Sequence, residues 1–472
     1  MMFIAYLILI CTTFMQDDQR TRMIFELANH GARAIIFPQF NTTAQPWLKN
    51  QTHGEPTATG MREQYLLGRN LRELFMHSAY ILKEKYDDYQ VIVKAAPFQS
   101  PIISAYTQMM GFYTPGVGEV LTEIEQGIAI PPVEDTSVLD KEKAKMFDMG
   151  LPYYAQIVPV HSNEGYGDFL FLPLMECNIV KYILYNTTQM DAYISLNNKY
   201  SALFKQLEKV MNYKDFNLTS AAMLFDDIDC DRYDGKDVRY DIDINIILEL
   251  EELVIDYWNG FVFADERTRF ISNTYMFSEW ITIMNNVLAA DRKNTPIDQT
   301  LNFALYMGSS YNIIPVLITF GYKLTHRIGY SAQLLLIMGR KMESLNKTPE
   351  TLIMSDYEVF AKLNGSVIST FGEMGISADV LITKLQQHSY INLLPHNAFL
   401  ELCNAIPPTP PGPTPTPKSH KGFIIGFSIG GGFLFLIVIF GAIWLIIRKR
   451  KEKEGITSYT APTDPILSLI HI

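Results

Sequence analysis

Cysteine, positive charge and internal repetition are all scarce in this chain. Only four of its 472 residues are cysteine, and the three beyond residue 16 allow one disulfide and leave one thiol over. Lysine and arginine total 39 against 50 aspartate and glutamate residues, so the net charge is -11 and a basic nucleic-acid-binding protein is not expected. Charged residues make up only 19% and hydrophobic residues 48%, which excludes wholesale disorder.

Two apolar segments near the ends of the chain predict how it is delivered. The first, within Met1–Phe14, is too short to span a bilayer and predicts a signal peptide over residues 1–16, with a buried N-terminal strand as the alternative. The second runs from Gly422 to Ile447 without a charge, roughly 39 Å of helix, and predicts a transmembrane helix over 422–447. Basic residues follow it directly, as expected on the cytosolic side, and open a cytosolic tail over 448–472.

The body between these segments has features of a luminal domain. Residues 407–417 read PPTPPGPTPTP, which predicts a semi-rigid linker over 407–421 and a body over 17–406. Six glycosylation sequons agree with a luminal location, at Asn41, Asn50, Asn186, Asn217, Asn346 and Asn364. We therefore expect a single-pass type I membrane protein of the secretory route, lysosomal or at the cell surface.

Strands and helices alternate along the body, which predicts an α/β fold. The predicted strands are Met23–Ala28, Tyr89–Lys94, Leu301–Met307 and Tyr357–Leu363, the last entering a hairpin turn at Asn364-Gly365. The predicted helices are Thr59–Phe75, Ile102–Met110 and Ile313–Phe320. Helical periods such as Ile246–Trp258 predict a helical second lobe within about residues 120–290.

The turn after the first strand, Asn29-His30-Gly31-Ala32-Arg33, has the residue types of an anion site. The imidazole of His30 could attack an electrophile, and the guanidinium of Arg33 offers a fork of donors that suits phosphate oxygens. A His-Gly turn can also be purely structural, with His30 and Arg33 retained only for packing.

From about residue 22 to residue 403 the body resembles the histidine acid phosphatase family. The family's opening motif R-H-G-x-R-x-P is similar to residues 29–35, and its helix ending in L-G-x-x-L-R is similar to residues 56–72. Its R-S-T-x-x-x-R-x-x-x-S-A is similar to residues 94–105, and its G-H-D falls on Gly308-Ser309-Ser310. Its P-V-H matches residues 159–161.

The resemblance implies a fold and a reaction. The fold is an α/β lobe with the site at the carboxyl ends of its strands, covered by a helical cap. In the reaction, a histidine at the position of His30 takes the phosphoryl group, arginines and a second histidine hold it, and an aspartate protonates the leaving oxygen. The resemblance also implies a Cys177–Cys403 disulfide, which leaves Cys230 over. No cofactor and no metal site is expected.

Most of that machinery is replaced in this sequence. His30 keeps the nucleophile position and Arg33 keeps one phosphate ligand. Asn29 replaces the first arginine, and Ser100 replaces the arginine of the second motif. Ser309 replaces the second histidine, and Ser310 replaces the proton donor. Each lost charge-assisted hydrogen bond costs about 1.5–3 kcal/mol, and a lost general acid costs about 10²–10⁴ in rate. Lys94 is the nearest basic residue in the sequence that could compensate.

We therefore expect a membrane-anchored, catalytically impaired member of this family that acts by binding a phosphorylated or anionic small molecule or a partner. The alternative is a slow acid phosphatase that hydrolyses phosphate monoesters through a phosphohistidine at His30. A purely structural surface protein, which binds no oxyanion, is a third interpretation.

The acidic run Asp226–Gly235 invites a comparison with calcium-binding loops. Tyr233 and Asp234 occupy the positions of the third ligand and the glycine counted from Asp229, and Tyr240 stands where the closing glutamate belongs. The run is therefore predicted to be a solvated acidic loop on the cap.

Overall fold

The structure is a computed structural model that describes residues 20–36, 54–135, 137–163, 167–372, 375–390 and 396–405. The predicted signal peptide, linker, transmembrane helix and tail, together with Asn41 and Asn50, lie outside the described residues. Among the residues described, no helix is both long and apolar enough to cross a membrane.

One mixed sheet organises the described part of the chain. Its strands follow the order β2-β3-β1-β4-β5-β6, with β7 also pairing with β5. Strands β1, β2 and β3 are parallel, whereas β4 runs antiparallel to β1 and β5. The strands are β1 Thr21–Asn29, β2 Val91–Ala95, β3 Phe303–Gly308, β4 Gln333–Arg340, β5 Tyr357–Leu363, β6 Ser366–Val367 and β7 Ile376–Ser377. The four strands predicted from the sequence are thus present, including the hairpin turn after Leu363.

Helices cover both faces of this sheet. The α-helices are α1 Ala58–Arg72, α2 Gln99–Phe112, α3 Glu123–Ile128, α4 Ser137–Met146, α5 Pro173–Glu176, α6 Asn178–Thr187, α7 Asp191–Lys199, α8 Ser201–Met211, α9 Leu218–Tyr233, α10 Ile244–Tyr257, α11 Glu266–Arg292, α12 Ser310–Thr319, α13 Ala378–Gln387 and α14 His396–Asn404. Short π-helical turns follow α1 at Glu73–Ser78 and α10 at Trp258–Val262. We refer to α5–α10 as the cap. The helices expected within residues 120–290 are therefore present.

Short 3-10 turns complete the secondary structure. They lie at Pro152–Tyr154, Ile297–Gln299, Met342–Ser344, Pro349–Thr351, Met354–Asp356 and Ser369–Phe371.

The central strand β1 is buried on both faces, as expected of a strand in a parallel sheet covered by helices. Ile24 and Ala28 pack on the side of α1 and α2, whereas Phe25 and Leu27 belong to the larger core with the cap and α11. Glu26 is the one ionisable residue among the buried apolar side chains of β1. Both of its carboxyl oxygens accept hydrogen bonds at 2.8 Å from Nε2 of Gln108 on α2. Burial raises the pKa of Glu26 to about 8, despite the opposing hydrogen bond.

Cys177 and Cys403 form a disulfide, which is the pairing that the resemblance implied. It joins the start of α6 to α14, across 226 residues of sequence. Cys230 is a free, buried thiol.

Candidate active site at the strand ends

The carboxyl ends of the parallel strands bring the candidate residues to one edge of the sheet. Asn29 ends β1 and pairs with Gly308, which ends β3. The backbone N–H of His30 donates to the carbonyl of Gly308 at 3.1 Å, and the N–H of Ser331 donates to the carbonyl of His30 at 2.9 Å. The turn at His30 is therefore held between β3 and the segment that enters β4.

His30 is a buried, neutral imidazole with a defined orientation. Its side chain is only 1% exposed, and burial first, then the charge of Arg33, lowers its pKa to about 3. Nδ1 lies 2.9 Å from the carbonyl oxygen of Gly31, which can only accept, so Nδ1 carries the proton and Nε2 the lone pair. This is the tautomer that a nucleophilic Nε2 requires.

The turn after His30 is packed so tightly that it requires glycine. A Cβ on Gly31 would lie 2.3 Å from the carbonyl oxygen of Gly60 on α1, and a Cβ on Gly60 would lie 2.0 Å from that of Ala32. The N–H of Gly31 donates to Oγ of Ser104 on α2 at 3.0 Å. Close packing against α1 is therefore sufficient to explain why glycine follows His30, without any catalytic role for Gly31.

Arg33 is fully buried and its guanidinium faces a carboxylate from the cap. Nη2 donates to both oxygens of Asp226 on α9, at 2.9 and 3.1 Å. Nη1 donates to the carbonyl of Ala34 at 3.2 Å and lies 3.4 Å from Sγ of Cys230. The positive charge expected to hold a phosphoryl group is therefore matched by an anion of the chain itself.

The residues predicted to stand at replaced family positions make hydrogen bonds to different parts of the chain. Asn29 donates through Nδ2 to the carbonyl of Gly329 at 2.7 Å, and its buried Oδ1 has no hydrogen-bond partner within the described ranges. Ser100 lies at the start of α2 and donates to the carbonyl of Gly54. Ser309 and Ser310 follow β3, where the N–H of Ser309 donates to Oδ1 of Asn312 at 2.9 Å.

Lys94 does not supply the missing positive charge. It lies in β2, opposite Tyr306 of β3. Its ammonium pairs with the carboxylate of Glu279 on α11, so this cation is also neutralised within the chain.

A narrow crevice opens beside the strand ends, between the cap and α12. The crevice is small and has room for little more than one water molecule. His30 is not among the described residues that line it, which are Phe225, Asp226, Asp229, Val254, Trp258, Ser310, Ile314, Arg327 and Ile328. Arg327 pairs there with Asp229, with Nη1 and Oδ2 2.5 Å apart.

The acidic run Asp226–Gly235 is not the predicted solvated loop: its residues 226–233 form the second half of helix α9, Leu218–Tyr233. Its Asp227, Asp229 and Asp231 are buried. Asp227 accepts from the hydroxyl of Tyr240 at 2.7 Å, and Asp231 accepts from Nε of Arg239 at 2.7 Å. Burial raises the pKa of both Asp227 and Asp229 to about 7. The loop prediction was wrong because burial and paired charges outweigh the weak helix propensity of aspartate.

The sequence analysis did not predict four residues of the candidate site: Asp226, Asp229, Arg327 and Tyr330, whose ring lies against the imidazole of His30. A signal for α9 existed, since Leu218, Ala221, Ala222, Phe225 and Ile228 repeat at helical spacing and are buried. No local pattern shows that Asp226 meets Arg33, because 193 residues separate them in sequence. In the part of the chain that is described, no group of three or more metal-ligating side chains occurs.

Known proteins share parts of this sequence and this fold. No family model matches the chain. The lysosomal acid phosphatase of Xenopus laevis is 19% identical over 217 residues, which span 46% of this chain and 43% of that protein. The chain thus matches less than half the length of this curated relative.

Solved phytases share the fold at low sequence identity. The phytase of Klebsiella sp. ASR1 matches with a TM-score of 0.52 and 12% identity, over 80% of this chain and 98% of its own. The phytase of Citrobacter braakii matches with a TM-score of 0.50 and 12% identity, over 79% and 98%. The strand-end position of His30, the sequence match to an acid phosphatase and the fold shared with phytases agree with one another, and all three support the resemblance to the histidine acid phosphatase family.

Proposed function

We propose that this protein is a catalytically impaired member of the histidine acid phosphatase family, anchored in a membrane, that acts by binding rather than by hydrolysis. The observation that carries this proposal is the ion pair between Arg33 and Asp226, because it neutralises the retained phosphate ligand. An anionic ligand can reach this guanidinium only by displacing the carboxylate. Weak, competitive binding of an anion is therefore expected where the family binds phosphate.

The chemistry of phosphoryl transfer explains why little turnover is expected. Catalysis of this transfer depends mainly on positive donors aimed at the phosphoryl oxygens. Here Arg33 and Arg327 each face an aspartate, and each lost charge-assisted hydrogen bond weakens the transition state by about 1.5–3 kcal/mol. Ser310, in the proton donor's position, has no useful acidity near neutral pH, and loss of a general acid costs about 10²–10⁴ in rate.

The location of the protein is part of the same proposal. Membrane anchoring rests on the uncharged run 422–447 and the basic residues after it, and a lysosomal or cell-surface destination rests on the signal peptide and the sequons. Of the described sequon asparagines, Asn346 and Asn364 are exposed, while Asn186 and Asn217 are half-buried. Enzymatic removal of N-glycans, followed by gel mobility, tests this part separately.

Hydrolysis of an aryl phosphate between pH 4 and pH 7 tests the impairment. We compare the full-length protein, purified in mild detergent, with its His30→Ala variant and with Lys205→Ala, an exposed substitution on cap helix α8. The proposal expects no turnover that depends on His30. Turnover that disappears in His30→Ala and persists in Lys205→Ala would instead establish the alternative, a slow acid phosphatase acting through a phosphohistidine.

A further inference from the structure

The crevice between the cap and α12 combines polar and apolar lining residues. Its polar lining residues are Asp226 and Asp229 of α9, Ser310 of α12 and Arg327 of the segment between α12 and β4. The two aspartates and the serine have oxygen atoms that accept hydrogen bonds, whereas the arginine can only donate. Three of the four polar lining residues can therefore receive hydrogen bonds from a ligand.

One carboxylate oxygen at the crevice has no hydrogen-bond donor. Oδ2 of Asp229 lies 2.5 Å from Nη1 of Arg327, whereas Oδ1 is buried and has no hydrogen-bond partner within the described parts of the chain. The side chain of Asp229 is only 5% exposed, so bulk water does not replace the missing donor. Buried polar atoms normally have partners, and leaving one without a partner is unfavourable. A ligand that donates a hydrogen bond to Oδ1 would remove this penalty.

The charges around the crevice favour a cation over an anion. Arg33 pairs with Asp226. Arg327 pairs with Asp229, and its Nε lies 3.8 Å from the carboxylate of Glu251. Two arginines thus face three carboxylates, which leaves one negative charge in excess. This excess repels an anion that enters the crevice and attracts a cation.

The other lining residues are apolar, and they restrict the kind of cation. They are Phe225, Val254, Trp258, Ile314 and Ile328. A metal ion requires more oxygen ligands than this lining offers, and no group of three or more metal-ligating side chains occurs among the described residues. A primary ammonium group donates three hydrogen bonds and carries an alkyl chain that suits apolar and aromatic walls. Its size is also close to that of the water molecule for which the crevice has room.

The surroundings of the crevice already stabilise one organic cation. The guanidinium carbon of Arg327 lies 5.6 Å from the ring centroid of Phe225 and 4.9 Å from that of Tyr233. Aromatic rings attract organic cations, including ammonium ligands, through the negative charge on their faces. Phe225 and the carboxylate of Asp229 both line the crevice, so an ammonium group would find an aromatic ring and an acceptor there.

Asp226 connects the crevice to the retained phosphate ligand, because it lines the crevice and accepts two hydrogen bonds from Arg33. An anion alone can reach Arg33 only by leaving Asp226 unpaired. A ligand with both charges exchanges the partners instead: its phosphate pairs with Arg33 and its ammonium with Asp226. We propose that the crevice binds the primary ammonium group of a ligand whose other end is a phosphate, so that the ligand of this protein is a small aminoalkyl phosphate monoester. The phosphate half of this inference rests on the proposed function, whereas the ammonium half does not.

The ionisation of Asp229 gives the ammonium subsite a pH dependence. Burial raises the pKa of Asp229 to about 7, although the charge of Arg327 opposes the shift. The other charges that act on this carboxyl are Asp226 and Arg232 of α9 and Glu251 of α10. An alkylammonium ion, with a pKa of about 10, stays charged between pH 6 and pH 8. Its binding should therefore weaken as the pH falls through 7 and Asp229 takes up a proton.

Calorimetric titration of the full-length protein in mild detergent with three probes tests the two halves separately. Ethylammonium carries only the cation, ethyl phosphate only the anion, and aminoethyl phosphate both. At pH 8 the wild type should bind aminoethyl phosphate at least tenfold more tightly than ethyl phosphate, and its affinity for ethylammonium should fall at least threefold from pH 8 to pH 6.

Asp229→Asn keeps the shape of the side chain and removes its charge. In this variant the preference for aminoethyl phosphate should fall below threefold, and ethylammonium should bind at least tenfold more weakly than to the wild type. Ethyl phosphate should bind no more weakly, because a repelling charge is lost. Asp237→Asn removes the same charge from an exposed position between α9 and α10, and it should bind all three probes as the wild type does.

Failure of the proposed function and failure of this inference give different results. If ethylammonium binds through Asp229 and ethyl phosphate does not bind, the ammonium subsite stands and phosphate binding is refuted. If the wild type binds ethylammonium no better than Asp229→Asn does, or aminoethyl phosphate no more tightly than ethyl phosphate, the ammonium subsite is refuted. The second comparison uses the wild type alone, so it decides the question even if Asp229→Asn does not fold.

Discussion

The ring of Tyr330 lies against the imidazole of His30, with centroids 5.6 Å apart and planes inclined by 38°. The same tyrosine places its hydroxyl 3.2 Å from Sγ of Cys230 on α9, and its ring lies 5.0 Å from that of Tyr233. Tyr330 thus contacts both His30 and the cap helix α9. His30, the candidate nucleophile, therefore lies inside a packed interface.

The Arg33–Asp226 pair is expected to be strongly coupled. Asp226→Ala leaves a buried guanidinium without its carboxylate, which costs about 3–5 kcal/mol of unfolding free energy. Arg33→Met leaves a carboxylate without its cation. The double variant removes both charges, so its loss of unfolding free energy should be clearly smaller than the sum of the losses in the two single variants. Denaturant unfolding of the three variants measures the coupling, and additive losses would show that the pair is not a unit.

Gly31→Ala is expected to destabilise the fold more than an ordinary core substitution. Its methyl group would clash with the backbone of Gly60, which cannot move without displacing α1, so a loss of about 3 kcal/mol or more is expected. Gly127→Ala is the matched control, because no atom lies within 4 Å of its added Cβ. Equal melting temperatures for the two variants would contradict this description of the turn.

The sequence predicted the framework of the site better than its chemistry. The strand ending at Asn29, the Gly31 turn and the strand ending before Ser309 follow from local patterns of burial and glycine, so their positions were predictable. The decisive contacts are not local. Asp226 meets Arg33 because the cap folds back over the strand ends, and Tyr330 meets His30 because the segment that enters β4 runs beside the end of β1. No sequence spacing encodes either approach.

The acidic helix shows why the prediction failed where it did. The predicted solvated loop rests on the failed calcium-loop spacing, and aspartates at 226, 227, 229 and 231 also disfavour a helix in isolation. In the folded protein, partners distant in sequence such as Arg327 offset the cost of burial. The helical spacing of apolar residues in the first half of α9 indicates the helix more reliably than the acidic composition of its second half indicates a loop.

Glu26 is expected to make the protein more stable in mild acid. Its pKa is raised from 4.5 to about 8 in the fold, so the folded state binds the proton more tightly, and this contribution is lost as the pH rises through about 8. The shift corresponds to roughly 3–5 kcal/mol. The melting temperature of Glu26→Gln minus that of the wild type should therefore increase from pH 5 to pH 8.5.

Because other groups titrate in the same range, the difference between the two proteins is the informative quantity. The exposed Glu343→Gln should show no such trend. A difference for Glu26→Gln that decreases with pH would contradict the sign of this assignment.

The Cys177–Cys403 disulfide is expected to stabilise the fold mainly by restricting the unfolded chain, since it closes a loop of 226 residues. Replacing both cysteines by serine should cost about 2–5 kcal/mol. Reductant should lower the melting temperature of the wild type and leave that of the double variant unchanged. If reductant lowered the melting temperatures of both proteins equally, the Cys177–Cys403 disulfide would not be the source of the stabilisation.

Oxyanion binding at Arg33 tests the central claim most directly. Calorimetric titration of tungstate and phosphate at pH 7 compares the wild type with Asp226→Ala and with Asp256→Ala, a control that removes a half-buried aspartate paired with Lys199. Removal of the competing carboxylate should tighten oxyanion binding at least tenfold in Asp226→Ala alone. Equally tight binding by all three proteins would contradict the claim that Asp226 occupies the phosphate ligand.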